Sequence, residues 1–233
     1  MKEGDFVMID FVGRVFNTGE IFDLTLEKVA KENNVHFEGK KYEPSLVILG
    51  AKMVVKGVEK QLLEMNVGES RKFMVNYADA FGRRDPRLVK ILSFNKFIEQ
   101  KINPVPGDFV NIDGMNAKIH SVSGGRVRVD FNNPLSGKDL EYEITIVKQI
   151  TDVNERVDLY LKHSGIDATA VLTGDSLEIK TKGKLNNILE KMLDETIKKW
   201  IKEIKTVKFS VHAKEAAEDK GSPKTESSKG NSH

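Results

Sequence analysis

The familiar catalytic patterns are absent from this 233-residue chain. Its five histidines are scattered, and no two stand three or four residues apart, the spacing that would direct two imidazoles at one metal ion. The segment around Lys138 has Asn132 where a phosphate loop needs its first glycine and Asp139 where it needs Ser or Thr. Neither a Gly-x-Ser-x-Gly elbow nor a Gly-x-Gly-x-x-Gly fingerprint occurs. We therefore expect no metal site and no cofactor.

What remains is a set of apolar and aromatic side chains from separate parts of the chain. Taken singly, each is expected in a hydrophobic core, because burial is the ordinary fate of such residues. Their order along the chain is the informative feature. The set is Phe11, Phe16, Phe22, Val54, Val55, Val58, Phe81 and Tyr142.

Short strands and one helix must position this set. Residues 6–16 are rich in β-branched and aromatic residues and lead through a turn at 17–20 into a return strand at 21–23, which predicts a hairpin. Apolar residues from Val54 to Met65 follow a helical period. Further strands are predicted at 70–76 and 140–147.

Two more regions follow the same reasoning. Alternating residues at 109–131 predict an antiparallel meander. After a helix cap at Thr151-Asp152, the pattern indicates helix, strand, helix, strand, with the strongest helical stripe running from Leu185 to Ile204. Residues 213–233 have no apolar side chain larger than Ala, so we expect them to be disordered.

Several motifs, in this order, resemble the FKBP-type peptidyl-prolyl cis–trans isomerases. They are Ile9-Asp10-Phe11-Val12-Gly13, Thr18-Gly19-Glu20-Ile21-Phe22-Asp23, Gly50 leading to Val54-Val55-Lys56-Gly57-Val58-Glu59, Met65-Asn66-Val67-Gly68-Glu69 and Ala80-Phe81-Gly82. The segment Asp130 to Lys138 is similar to the one that closes the inserted flap domain of SlyD-like members. A further domain after residue 150 resembles the long-chain archaeal type.

The resemblance implies an α+β fold with three domains and a tail. Residues 1–83 plus 134–150 would form a half-wrapped antiparallel sheet with one helix, the isomerase domain. Residues 84–133 would form a small all-β insert, the insert-in-flap chaperone domain. Residues 151–212 would form an α+β C-terminal domain, and 213–233 the tail.

The resemblance also implies a proline pocket between the helix and the sheet. It places Phe11, Phe22, Val54, Val55, Val58, Phe81 and Tyr142 around the pocket and Asp23 at its rim. The backbone N–H of Val55 would anchor a substrate carbonyl, and the Asp23 carboxylate would orient the twisted amide. The family usually has Tyr where Phe11 and Phe81 stand, and Trp where Val58 stands.

In SlyD-like proteins the insert captures unfolded chains, which suggests an exposed apolar client-binding groove. A domain of about 50 residues hides only part of its surface, so its apolar residues can exceed its core. The alternative is that the same residues simply form that core. The candidates are Phe109, Ile112, Met115, Ile119, Val127, Val129 and Phe131.

Composition limits the remaining classes of function. The formal net charge of +2 does not favour a dedicated nucleic-acid binder, and no cysteine is present to form a disulfide or a thiolate site. The N-terminus lacks a signal-peptide pattern and the apolar runs are too short to span a membrane, so we expect a soluble, cytoplasmic protein.

The predicted function is a folding-assisting prolyl isomerase that acts on unfolded or partly folded polypeptides containing proline, with a homodimer through the C-terminal domain as one option. One alternative is a non-catalytic holdase or adaptor on the same fold. A second is a ribosome- or RNA-associated factor that uses the lysine face of the last helix, although a solvated face is the favoured interpretation of those lysines.

Overall fold

The computed structural model describes residues 1–211. The predicted tail and the end of the C-terminal domain at residue 212 lie outside them. The described chain contains twelve strands and five α-helices. The strands are β1 (Phe6–Val15), β2 (Ile21–Leu24), β3 (Ser45–Ile48), β4 (Ser70–Val75), β5 (Val89–Ser93), β6 (Phe109–Ile112), β7 (Met115–Ser123), β8 (Arg126–Asp130), β9 (Leu140–Ile150), β10 (Ala168–Thr173), β11 (Ser176–Thr181) and β12 (Thr206–Val211). The helices are α1 (Glu27–Glu32), α2 (Lys56–Glu64), α3 (Phe94–Glu99), α4 (Val153–His163) and α5 (Asn187–Trp200).

The first sheet is antiparallel and built around β1. Strand β9 pairs along one edge of β1, while β2 and β3 pair with different parts of the other edge, and β4 extends the sheet beyond β9. Helix α2 buries Val58 and Leu62 in the same core as Ile9 and Ile144 of the sheet. The predicted hairpin and the helix after Val54 are confirmed, and the mixed α+β class holds.

The second sheet has the order β5-β8-β7-β6 and includes the predicted meander. This region is not all-β, which corrects the prediction. Helix α3 begins after Ser93, whose side chain caps it, and brings Phe97 into the small core. The fully buried residues of the meander are aliphatic, and Phe97 adds a fully buried aromatic ring to their core.

The third sheet has the order β10-β11-β12, with β12 parallel to β11. Strand β10 was not predicted, so the order helix, strand, helix, strand was incomplete. The stripe of α5 packs on more than its own strands. It belongs to one core that also contains four buried residues of the first sheet, namely Phe6, Leu46, Ile48 and Ile150.

Within residues 1–211, no helix is long and apolar enough to cross a membrane. The described chain thus contains three separate sheets, and the second sheet is inserted in the connection between β4 and β9 of the first.

Candidate functional site

A cavity of about 580 Å³ opens between the start of α2 and strands β1, β2 and β9. Its walls are mostly apolar, with one carboxylate. The structure brings all eight predicted pocket residues to this cavity: Phe11, Phe22, Asp23, Val54, Val55, Val58, Phe81 and Tyr142.

Tyr142 on β9 is the centre of the aromatic wall. Its ring lies 5.7 Å from that of Phe22 in an edge-to-face arrangement and 6.5 Å from that of Phe11. It also stacks with Phe73, whose ring centre lies 6.3 Å away. Edge-to-face and offset pairs of this kind are favourable geometries for aromatic rings, so the wall is held in place by its own contacts.

A β-bulge explains why two consecutive residues of β2 face the cavity. Gly13 pairs with Asp23 and Arg14 pairs with Ile21, which leaves Phe22 without a partner in the register. Successive strand residues normally point to opposite faces, but an extra residue in one strand redirects a side chain. The bulge therefore lets Phe22 and Asp23 line the same cavity.

The Asp23 carboxylate is oriented by two donors. Its Oδ1 accepts hydrogen bonds from the backbone N–H of Leu24 at 2.8 Å and from the Lys40 ammonium at 2.7 Å. Thr25, directly after β2, ties this strand to β1, because its hydroxyl donates to the Asp10 carboxylate and accepts from the Phe11 N–H. The carboxylate thus has a defined direction at the rim while half of its side chain remains exposed.

The N-terminus of α2 forms the opposite wall. Val55 has extended backbone dihedrals and precedes the first helical residue, and its carbonyl accepts from Glu59 N–H. Among the described residues, nothing accepts a hydrogen bond from the Val55 N–H. The Glu59 carboxylate accepts from the Gly50 N–H at 2.7 Å and so fixes the loop before the helix. A backbone donor with no acceptor among the described residues therefore belongs to a residue that lines the cavity.

The Tyr142 hydroxyl is a weak acid here. Burial, and secondly the negative charge of Asp23, raise its pKa to about 12. The cavity therefore combines a phenol that stays neutral, a half-exposed carboxylate and an apolar floor. Such a site can bind and desolvate a ligand, and its described residues contain no cluster of three or more metal-ligating side chains.

Sequence reasoning missed other residues of this cavity. Met53 and Lys52 lie just before the predicted helix, where no pattern marked them. His163 comes from the end of α4 in the C-terminal region. No local signal could have found His163, because its place at the cavity depends on how two regions pack.

The sequence of this chain is similar to those of known proteins. A family profile described as "FKBP26, IF domain" matches residues 88–135. The short-type peptidyl-prolyl cis–trans isomerase of Methanocaldococcus jannaschii is 32% identical over 146 residues, which cover 63% of this chain and 92% of that protein. The chain belongs to the FKBP-type peptidyl-prolyl cis–trans isomerases.

Two bacterial FKBP-type proteins extend the comparison. The FKBP-type 16 kDa peptidyl-prolyl cis–trans isomerase of Escherichia coli is 30% identical over 132 residues, or 54% of this chain and 86% of that protein. The FKBP-type isomerase SlyD of Helicobacter pylori is 29% identical over 108 residues, or 45% of this chain and 58% of that protein. The first sheet with α2 is accordingly called the FKBP domain below, and the second sheet with α3 the insert.

The structure divides the predicted client-binding residues of the insert into two groups. Phe109 and Met115 are exposed over 58% and 53% of their surface, and Phe131 is half-buried. The other four are core residues, so their prediction as exposed client contacts is wrong. Because they face inward from β6, β7 and β8, they are fully buried: Ile112, Ile119, Val127 and Val129.

The insert joins the FKBP domain through a tight polar junction. The Arg84 guanidinium donates to the Asp130 carboxylate, with a 2.8 Å bond from Nε. Burial raises the pKa of Asp130, but hydrogen bonds from Asn132 and the Arg84 guanidinium outweigh it and leave that pKa below its ordinary value. Nearby, the Gly137 N–H donates to the Gly82 carbonyl at 2.7 Å. These bonds hold the entering and leaving chains side by side.

The predicted lysine face of α5 consists of Lys198, Lys199, Lys202 and Lys205, and two of these four lysines are paired with carboxylates. Lys198 pairs with Asp194 at 2.6 Å, and Lys205 beyond the helix pairs with Asp175 at 3.0 Å. The Lys199 ammonium lies 4.7 Å from the centre of the Trp200 ring. This pairing does not favour a phosphate-binding surface.

Proposed function

We propose that this protein catalyses cis–trans isomerisation of prolyl bonds in unfolded polypeptides and that its insert holds those polypeptides close to the site. The observation that carries the first part is the convergence of eight residues from β1, β2, β9, α2 and two loops on one apolar cavity. The observation that carries the second part is the exposure of Phe109 and Met115, two of the predicted client-binding residues, on the insert.

The chemistry requires desolvation of an amide. Rotation about a prolyl bond is slow because resonance gives the C–N bond partial double-bond character, with a barrier of about 18–20 kcal/mol. Water stabilises the charge-separated form of the planar amide. In an apolar cavity that form is weakened, so the twisted transition state becomes relatively more stable. Each ~1.4 kcal/mol removed from the barrier raises the rate tenfold.

Two polar groups would orient the substrate. The Val55 N–H, which has no acceptor among the described residues, donates to a substrate carbonyl next to the proline. The Asp23 carboxylate lies at the rim and interacts with the dipole of the twisting amide. Neither group transfers a proton, so the catalyst acts by positioning and solvent exclusion.

The insert would act as the client-binding part. Phe109 at the start of β6 and Met115 at the start of β7 are both exposed, and an aromatic ring and an adaptable thioether each suit varied apolar segments. A client held there has its prolines at high effective concentration near the cavity. Capture and isomerisation then reinforce each other.

A protease-coupled assay with a proline-containing tetrapeptide tests the catalytic part. We expect acceleration by the full chain and about a tenfold loss in kcat/KM for Phe81→Ala, which removes one wall of the cavity. Aggregation suppression without any acceleration would instead favour the holdase or adaptor.

Replacement of residues 84–133 by a short turn tests the division of labour. We expect tetrapeptide turnover to persist and the acceleration of a proline-limited refolding reaction to be lost. Equal loss of both activities would overturn the model.

The homodimer remains a proposal that rests on α5. Ile188 and Met192 are one turn apart on this helix and are exposed over 75% and 59% of their surface. A second copy of the chain is the occupant we propose for this face. Analytical ultracentrifugation of the wild type and of Ile188→Ser/Met192→Ser would test it, and an unchanged mass for the two proteins would reject it.

A further inference from the structure

A second cavity of about 440 Å³ continues from the prolyl cavity. The two share five lining residues, so a chain leaving one enters the other: Phe11, Asp23, Ser45, Leu46 and His163. We call this second cavity the interdomain groove.

The groove is built by two domains. The FKBP domain contributes the segment from Lys40 to Leu46, and α4 contributes Leu159, Lys162 and His163. A 2.9 Å ion pair between Lys162 and Glu43 crosses the groove and links residues 119 positions apart. The core shared by α4, α5 and the first sheet lies beneath it. The groove is therefore a defined part of the fold.

The charges of the groove do not cancel. Two of its cations are paired, since Lys40 binds Asp23 and Lys162 binds Glu43. Both acidic side chains of the groove are used in these pairs. Among the described residues, Lys41 and His163 have neither an ion pair nor a hydrogen bond of their side chains. Lys52 at the prolyl cavity is likewise unpaired. The groove thus keeps an excess of positive charge above an apolar floor.

We propose that the interdomain groove binds an acidic residue of the polypeptide substrate while the neighbouring proline occupies the prolyl cavity. This inference rests on the proposed isomerase function. An extended chain advances about 3.3–3.6 Å per residue, so the acidic residue would lie within a few positions of the proline. The C-terminal domain would in this way set a preference in the sequence that flanks the proline.

Octapeptides with one central Ala-Pro bond test the proposal. A single Glu, Gln or Lys is placed two to four residues before or after the proline, and both kcat/KM and the Kd of fluorescein-labelled peptides are measured at low salt. We expect Glu peptides on one side of the proline to exceed the matching Gln peptides about two- to fivefold, as for one partly exposed ion pair, with Lys peptides the poorest. The preference should shrink at high salt.

Variants of this protein test whether the preference for Glu peptides arises in the groove. Lys41→Gln should reduce the preference for Glu, and Lys41→Glu should favour the Lys peptides. Lys184→Gln, which replaces an exposed lysine outside the groove, should keep the wild-type preference. Equal values for Glu, Gln and Lys peptides, or a preference that survives Lys41→Gln, would overturn the proposal. Glu-selective, Lys41-dependent binding without turnover would support the groove and refute the isomerase function.

Discussion

Phe22 occupies the space that a side chain at Gly13 would need. A Cβ atom built on Gly13 would lie 2.5 Å from Cζ of the Phe22 ring. Real Cβ contacts are never this short, so the absence of a side chain at position 13 is what allows the ring to lie across the strand. The position of a cavity wall therefore depends on a glycine in the neighbouring strand.

Gly13→Ala should lower kcat/KM about tenfold while the protein remains folded. The clash involves the far end of a side chain, so the Phe22 ring can swing away at little cost to the backbone, and it then leaves the cavity. The measurement is tetrapeptide turnover together with circular dichroism. Gly183→Ala is the matched control, because a Cβ there meets nothing within 4 Å. Unchanged turnover in Gly13→Ala would contradict the proposed place of Phe22 in the site.

Asp23→Ala should reduce kcat/KM about tenfold, which corresponds to the loss of ~1.4 kcal/mol of transition-state stabilisation. The side chain is half-exposed and, within residues 1–211, accepts bonds only from Lys40 and Leu24, so its loss should not unfold the domain. Glu20→Ala removes an exposed carboxylate from the nearby turn and should behave as the wild type. Equal rates for both variants and the wild type would show that the carboxylate has no part in turnover.

Tyr142 should make the folded state less stable at high pH. Its pKa is raised to about 12 in the folded state from an ordinary value near 10. Between these values the unfolded chain loses a proton that the folded chain keeps, so stability is full below pH 10 and falls as the pH rises toward 12. The loss amounts to about 2–3 kcal/mol at 1.36 kcal/mol per pKa unit. Denaturant titrations of the wild type and Tyr142→Phe from pH 9 upward would measure it. Parallel pH dependence in the two proteins would exclude this effect.

Phe109→Ser/Met115→Ser should weaken aggregation suppression several-fold and leave tetrapeptide turnover at the wild-type level. Both side chains are exposed on the insert, so their replacement removes apolar contact area without opening a cavity in its core. Val67→Ser, which changes an exposed aliphatic residue of the FKBP domain, is the control. If the double variant protects clients as well as the wild type does, another surface binds them.

Asp130 should contribute to acid sensitivity. Its pKa lies below the ordinary value of 3.8, so its stabilising contribution is present above that pH and is lost as the pH falls through the lower folded value. Asp130→Asn should therefore destabilise the protein at pH 7 and reduce its further loss of stability toward pH 2. Asp108→Asn, at an exposed position, serves as the control. The readout is the difference in free energy of unfolding between the two pH values, and a variant with the wild-type difference would contradict the prediction.

Strong periodicity made part of this fold predictable. Alternating Val and Ile residues in β7 and β8 indicated strands, and the stripe from Val54 to Met65 indicated α2. Strand β10 was not predicted, because its Ala and Thr residues give only a weak alternation of apolar and polar side chains. Helix α3 was not predicted either, because six residues are too few to display a helical period.

The sequence predicted which residues line the candidate site, but not the backbone features that bring them together. Motif order placed the eight cavity residues, yet nothing in the order of residues marks the bulge that brings Phe22 and Asp23 to one face. The positions of His163 and Lys41 at the groove arise from packing between distant segments. In the insert, alternation identified Ile119 and Val129 as one face of a sheet, but the pattern does not tell whether that face is covered.

Because the first sheet and the C-terminal region share one core, we expect these two parts to unfold as one cooperative unit. Phe6, Leu46, Ile48 and Ile150 are almost fully buried in it, so removal of the C-terminal region would expose them to water on strands β1, β3 and β9. The insert has a core of its own. Heating should accordingly melt the chain in two calorimetric transitions, with the catalytic and C-terminal parts lost together in one and the insert in the other.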